Sequence, residues 1–252
     1  MATLEELVNY TNSLLNIAVF QDYCPNGLQV EGRGEVRRLV SGVTASQALV
    51  DAAAAAGADA LLVHHGYFWK GEDPCVTGMK RRRLAGLIAA EMSLLAYHLP
   101  LDAHPDLGNN AQLGQILGFP IDGWFGDGRG PAIACHGTLP QPLTGAACAE
   151  RIAAVLGRAP QFIPGGEHPV RRIGWCTGAA QSYIEAAAAL GLDAFVSGEI
   201  SEPTVHVARE CGIHYFAAGH HATERYGARA LGEHLARRFG LEHTFLDLDS
   251  PA

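Results

Sequence analysis

His98 and Asp102 stand four residues apart, directly after the apolar run Leu94-Leu95-Ala96. His220 and Glu224 repeat that spacing after Tyr215-Phe216-Ala217-Ala218, as if one module, strand then His-x-x-x-carboxylate, occurred twice. A third apolar run, Leu61-Leu62-Val63, delivers His64-His65-Gly66. Imidazole nitrogens and carboxylate oxygens suit divalent transition metals. His64, His65, Asp102, His220 and Glu224 are the candidate ligands, with His98 a possible sixth. That set is too large for one tetrahedral structural site, and cysteine-rich structural spacing is absent. It suits two ions about 3.5–4 Å apart, drawn from Zn, Fe, Mn, Co or Ni. Two such ions bring four positive charges. Asp102, Glu224 and a bridging hydroxide offset three, so the centre would attract a small anionic or carbonyl-bearing molecule.

Local chemistry sets conditions on this reading. Adjacent histidines in a regular strand point to opposite faces, so His64 and His65 share a site only if the chain leaves the sheet there, which Gly66 permits. Pro100 makes His98-Leu99-Pro100-Leu101-Asp102 a poor helix and a better loop. His104 and Asp106 read as surface-loop residues, and Asn109-Asn110 as a cap for the next helix. If a helix opens at His220, Glu224 shares its face and His221 points elsewhere. Lys80-Arg81-Arg82-Arg83 opens a predicted helix and reads as a solvated first turn, the alternative being an anion contact.

The elements that must hold these residues show an internal repeat. Arg37-Arg38-Leu39 aligns with Arg171-Arg172-Ile173 without a gap through the segments that follow. Ala45, Gln47, Gly57, Asp59 and Ala60 recur as Ala179, Gln181, Gly191, Asp193 and Ala194. Gly57 and Gly191 suit left-handed helix caps. In this register His65 corresponds to Glu199, which places a carboxylate near the site as a supporting group or general base. Helices are expected at 3–15, 46–56, 79–92, 143–157, 180–190 and 202–211, with final helices starting near Asn110 and Arg225. Strands are expected at 27–30, 37–43, 59–63, 94–97, 160–163, 171–177, 193–197 and 213–218. Alternating strands and helices, with apolar strands lacking polar alternation, imply an α/β fold of two duplicated units with mostly parallel sheets. Asp122-Gly123-Trp124-Phe125-Gly126-Asp127-Gly128-Arg129-Gly130-Pro131 reads as the linker, giving an N-terminal unit 1–125 and a C-terminal unit 126–252.

The chain has 252 residues and a net charge of −8. That balance argues against a nucleic-acid partner. No apolar run reaches the roughly 18 residues of a membrane span, and the N-terminus, Met1 to Asn16, reads as an amphipathic helix rather than a signal peptide. The six cysteines are scattered and are expected to be reduced core residues of a cytoplasmic protein. Nucleotide-cofactor and nucleophile-elbow motifs are absent. Gly126-Asp127-Gly128-Arg129-Gly130 has the wrong spacing for a dinucleotide loop, and no G-x-x-x-x-G-K-[ST] or G-x-S-x-G occurs.

Pro25-Asn26-Gly27-Leu28-Gln29-Val30, His64-His65-Gly66-Tyr67-Phe68-Trp69, His98-Leu99-Pro100-Leu101-Asp102 and Gly219-His220-His221-Ala222-Thr223-Glu224-Arg225 together resemble the Nif-three-like family. Its members are labelled GTP cyclohydrolase 1 type 2 homologs, and the short bacterial form fits this length. The resemblance implies a two-ion centre held by His64, His65, Asp102, His220 and Glu224. It also implies two α/β units of like topology and a homohexameric ring with metal sites facing an interior cavity. The expected function is a metal-dependent hydrolase acting on a nucleotide-like or purine-type substrate, with His98 or His221 moving protons. The alternative is a non-catalytic oligomeric metal-binding or regulatory adaptor.

Overall fold

The computed structural model describes residues 2–126, 128 and 130–252. Met1 of the expected first helix, and Asp127 and Arg129 of the expected linker and glycine-rich motif, lie outside the described residues. The chain divides into two compact units. One runs to Leu101 and regains Gly227–Leu248; the other is Asp102–Tyr226 with Asp249–Ala252.

The first unit opens with β1 (Ala2–Thr3) and α1 (Leu4–Leu14). Thr3 starts α1 by a reciprocal cap: its hydroxyl accepts from the Glu6 amide, and the Glu6 carboxylate accepts from the Thr3 amide. The rest follows as β2 (Gly27–Val30), β3 (Glu35–Val36), β4 (Arg38–Thr44), α2 (Gln47–Ala55), β5 (Ala60–His65), α3 (Gly78–Ala89) and β6 (Ser93–Ala96). β4, β5 and β6 pair in parallel, and β2 closes one edge antiparallel to β6. Leu61, Val63, Leu49, Leu87 and Leu94 pack in its core.

The second unit holds α4 (Leu99–Asp102) from Asp102 onward, then α5 (Asn109–Leu117), β7 (Gly123–Phe125), β8 (Ala134–Leu143), α6 (Gly145–Leu156), β9 (Gln161–Ile163), β10 (Val170–Cys176), α7 (Ile184–Ala189), β11 (Ala194–Ser197), α8 (Glu202–Glu210) and β12 (His214–Ala217). The last helix, α9 (His220–Phe239), contributes its residues up to Tyr226 to this unit and the remainder to the first. β13 (Glu242–Phe245) pairs in parallel with β4, so the first sheet runs β13-β4-β5-β6-β2. The second runs β7-β8-β10-β11-β12-β9 around Trp175, Val196 and Phe216.

The two units repeat one plan. Three parallel strands, β4-β5-β6 or β10-β11-β12, carry an antiparallel strand on the third, β2 or β9. The repeat extends to hydrogen bonds. Asp59 Oδ2 accepts from the Arg37 and Arg38 amides at 2.9 Å each. Asp193 Oδ2 accepts from the Arg171 and Arg172 amides at 2.8 and 2.7 Å. Gly57 and Gly191 close their helices at φ of 68° and 67°, as expected of left-handed caps.

Several expectations are corrected. The second sheet is mixed: β7, β8 and β9 pair antiparallel, so only its centre is parallel. The units do not part at 125/126, because β7 inside the expected linker pairs with β8, Gly227–Leu248 return to the first unit, and β13 joins the first sheet. β8 contains Pro140 and Pro142, which hid it as a strand; its residues paired with β10 lie at 135–138 and 143, and those paired with β7 at 134–136. Residues 99–102 form a short helix, with Pro100 at its second position where no intrahelical N–H is required. α9 starts at His220 rather than near Arg225. All six cysteines are free, but Cys75 and Cys211 are exposed rather than core. Among the described residues no helix is long and apolar enough to cross a membrane.

Asp59 supports a pH prediction. Its side chain is 12% exposed. Burial raises its pKa, but the Arg38 and Arg37 amides and the Arg33 guanidinium outweigh burial and hold it below the usual carboxylate value. A lowered folded pKa stabilises above the unfolded value of about 3.9 and is lost as pH falls through the folded value. Asp59→Asn should therefore cost about 1.5–3 kcal/mol at pH 7. The cost should shrink as pH falls from the unfolded value towards and through the lowered folded one. Urea unfolding of both chains from pH 7 to 3 measures it, and a pH-independent difference would refute it.

Candidate metal centre

In the first unit the donors sit at the carboxyl ends of β5 and β6, where open α/β sheets present ligand sites. His64 is fully buried and its Nδ1 donates to the Tyr97 carbonyl at 2.9 Å. That bond fixes the tautomer with the lone pair on Nε2. His65 is still within the ladder, paired with Thr44, and its Nδ1 lies 3.1 Å from Thr44 Oγ1. The two rings are nevertheless only 4.5 Å apart between centroids. The chain departs at the next residue. A Cβ on Gly66 would stand 2.6 Å from the Ala96 Cβ and against Gln29 Oε1, and Gln29 pins the departing strand by accepting from the Tyr67 amide at 2.7 Å. His98 joins this group: His64, His65 and His98 each offer a nitrogen within 4.8 Å of the others.

In the second unit His220 and Glu224 follow β12 and Glu199 follows β11, whereas Asp102 ends α4. His220 is the first residue of α9, so Glu224 lies on its face one turn on. His220 Nε2 is 3.0 Å from Glu224 Oε2, and its Nδ1 is 2.7 Å from Glu199 Oε1. Burial opposes the imidazolium, but Glu224 and Glu199 outweigh it and push the His220 pKa up to about 9. Asp102 is buried, and its Oδ1 accepts from Asn109 Nδ2 at 2.9 Å and Thr177 Oγ1 at 3.3 Å. Asp102 and Glu224 each offer an oxygen within 4.8 Å of the other. Cys176 stays a thiol, because burial, Asp102 and Cys135 all raise its pKa.

The donor chemistry fits divalent metal ions in each unit. The first supplies three imidazoles, the second one imidazole and two buried carboxylates. Glu199 stands beside His220, on the nitrogen opposite the one facing Glu224. His221 is half-buried, and its amide donates to the Ala252 carbonyl at 3.2 Å. His104 serves its own turn, with Nδ1 accepting from the Asp106 and Leu107 amides. Lys80 donates to the Asp73 carbonyl, and Arg81 and Arg82 are exposed.

Sequence reasoning missed the supporting residues. Asn109 and Asn110 do not cap α5, whose cap position is Gly108; both are buried. Asn109 holds Asp102, and Asn110 Oδ1 accepts from the Thr177 amide at 2.9 Å. Thr223 accepts from the Gly178 amide at 3.1 Å. Asp22, on the His98 ring, carried no motif signal at all.

The profile of the Duf34/NIF3 family (NGG1p interacting factor 3) matches residues 2–251. The chain belongs to this family. A "GTP cyclohydrolase 1 type 2 homolog" of Pseudomonas aeruginosa is 57% identical over 249 residues, covering 99% of this chain and 98% of that one. The protein of that description from Escherichia coli K12 is 52% identical over 248 residues, covering 98% of each. Among solved structures, the protein ybgI, described as of unknown function, superposes with a TM-score of 0.95 at 51% identity, covering 100% of both chains. TTHA1606 from Thermus thermophilus gives 0.91 at 35% identity, again over 100% of both. The α/β fold expected from the motifs is thus that of the Duf34/NIF3 family.

Glu199→Gln tests the residue found through the repeat. The amide oxygen still accepts the His220 Nδ1 proton, but the charge is gone. Metal affinity is expected to fall roughly 10-fold, at the low end for partners of metal-bound histidines, and equilibrium dialysis measures it. Unchanged affinity and unchanged turnover would remove Glu199 from the site.

Proposed function

We propose that this chain is a dinuclear divalent-metal protein that hydrolyses a small anionic substrate of nucleotide-like or purine type. The observation that carries the reading is the donor set: three gathered imidazoles in one unit, and His220 with buried Glu224 and Asp102 in the other. His64, His65, Asp102, His220 and Glu224 are the ligands of two ions of Zn, Fe, Mn, Co or Ni. Such ions, when bound, supply Lewis acidity and lower the pKa of water. His64 keeps its Nδ1 proton on the Tyr97 carbonyl and gives Nε2. His220 passes its Nδ1 proton towards Glu199, which leaves Nε2 and Glu224 to act together. His221, half-buried next in sequence, is the residue placed to move protons to and from solvent. The substrate class rests on the description borne by the 52–57% identical relatives.

Elemental analysis of protein purified without chelators, followed by a nucleotide panel, tests this. About two ions per chain and a ring-opened or dephosphorylated product are expected. A value near zero with no uptake on titration removes the reading. Two ions with no turnover select instead the adaptor role that the words "interacting factor" in the family description favour. The chain assembles as a homohexamer, and light scattering that returns the 26.7 kDa monomer would overturn that part.

A further inference from the structure

His98 is held by a buried carboxylate that the metal reading does not use. The Asp22 side chain is 3% exposed. Its Oδ1 accepts the His98 Nδ1 proton at 2.7 Å and the Tyr23 amide at 2.6 Å. Its Oδ2 accepts the Leu99 amide at 3.0 Å and Asn26 Nδ2 at 2.8 Å. Asn26 Oδ1 in turn accepts the His98 amide at 2.7 Å. Ring and backbone of His98 are therefore fixed from one short loop. Asp22, Cys24 and His98 also offer donor atoms within 4.8 Å of one another, but they do not make a second cation site. Both Asp22 oxygens already accept two hydrogen bonds each, and burial, then Asp22, pushes the Cys24 thiol up to about 12.

We propose that Asp22 is a positioning residue of the candidate centre, acting through His98. With Nδ1 committed to the carboxylate, the nitrogen His98 offers is Nε2. The ring sits 5.0 Å from His64 and 5.7 Å from His65 between centroids. Asp22 thus sets the tautomer and tilt that bring a third imidazole to the pair, as the Tyr97 carbonyl does for His64. A carboxylate on the remote nitrogen also makes an imidazole a stronger donor. This role rests on the metal reading proposed above and assigns His98 to the donors rather than to proton transfer.

The test is cobalt titration of the full chain, read by visible absorption and by equilibrium affinity, with thermal unfolding of the metal-free chain as control. Asp22→Asn is expected to weaken cobalt binding roughly 10–100-fold and to shift the visible band. His98→Ala should weaken it at least as much, and the double variant no further than His98→Ala alone. Asp22→Glu, which keeps the charge, covers the case in which the amide variant folds poorly; it should retain more affinity than Asp22→Asn. Losses that add in the double variant, or an Asp22→Asn chain with unchanged affinity and spectrum, overturn the role. A wild-type chain that takes up no cobalt removes the metal reading and this role with it. A wild-type chain that loads while Asp22→Asn loads identically removes Asp22 alone.

Discussion

His220→Ala should abolish metal uptake and destabilise the metal-free chain, whereas Glu224→Ala should abolish uptake at less cost to stability. The asymmetry follows from the ion pair. Glu224 is the more buried partner, with 4% of its side chain exposed against 26% for His220. Removing the imidazolium leaves a buried carboxylate without the charge that stands 3.0 Å away. Loss of one member of a buried pair costs about 3–5 kcal/mol. Removing Glu224 instead leaves His220 still paired with Glu199 at 2.7 Å. Both substitutions delete a donor, so both should weaken metal binding beyond the roughly 10–100-fold that an outer partner costs. Dialysis against zinc and urea unfolding of the metal-free chains separate the effects. Equal destabilisation by the two would show that the pair does not carry the energetics assigned to it, and full zinc occupancy in Glu224→Ala would remove it as a ligand.

The donors were legible because each follows an apolar run, and such runs become buried central strands. The reason for the apparent repeat was not. By sheet register, Val63 pairs with Ala96 and Ser197 with Ala217. His98 thus corresponds to Gly219, and His220 to Leu99. The two His-x-x-x-carboxylate segments are out of phase by one residue, so they are not copies of one module. Their likeness in spacing comes from separate solutions at equivalent strand ends. His65 likewise departs from the alternation rule: it remains paired with Thr44, yet its ring lies 4.5 Å from that of His64 between centroids. Asp22 was invisible because it lies 76 residues from His98 in sequence and belongs to no periodic element. Asn109 and Asn110 were misread because the preference of asparagine for caps is local, whereas their actual partners, Asp102 and Thr177, depend on tertiary structure.

The same repeat shows where side chains had to vanish. Thr44, His64 and His65 of the first half correspond to Gly178, Gly198 and Glu199 of the second. In the second unit α9 brings its own donors, and the two glycines clear the space. A Cβ on Gly198 would lie 2.7 Å from the Gly178 carbonyl oxygen and from the His220 Cα. A Cβ on Gly178 would meet Glu224 Oε1 and approach His220 Nε2 to 3.3 Å. Gly178 is also a backbone junction: its amide donates to Thr223, and its carbonyl accepts from the Gly198 amide and the Ser197 hydroxyl. Gly178→Ala should therefore do two separable things. At φ of 68° the left-handed backbone alone costs about 1–2 kcal/mol. The new methyl must also displace the Glu224 carboxylate, which should abolish metal uptake. Gly157→Ala is the matched control, since Gly157 has φ of 71° and open space where its Cβ would stand. It should lose a similar amount of stability and keep its metal. Parallel unfolding and zinc-binding measurements on the two variants decide the matter. If both bind zinc like the wild type, Glu224 is not held where a ligand must be; if both lose it, the effect is strain and not the shape of the site.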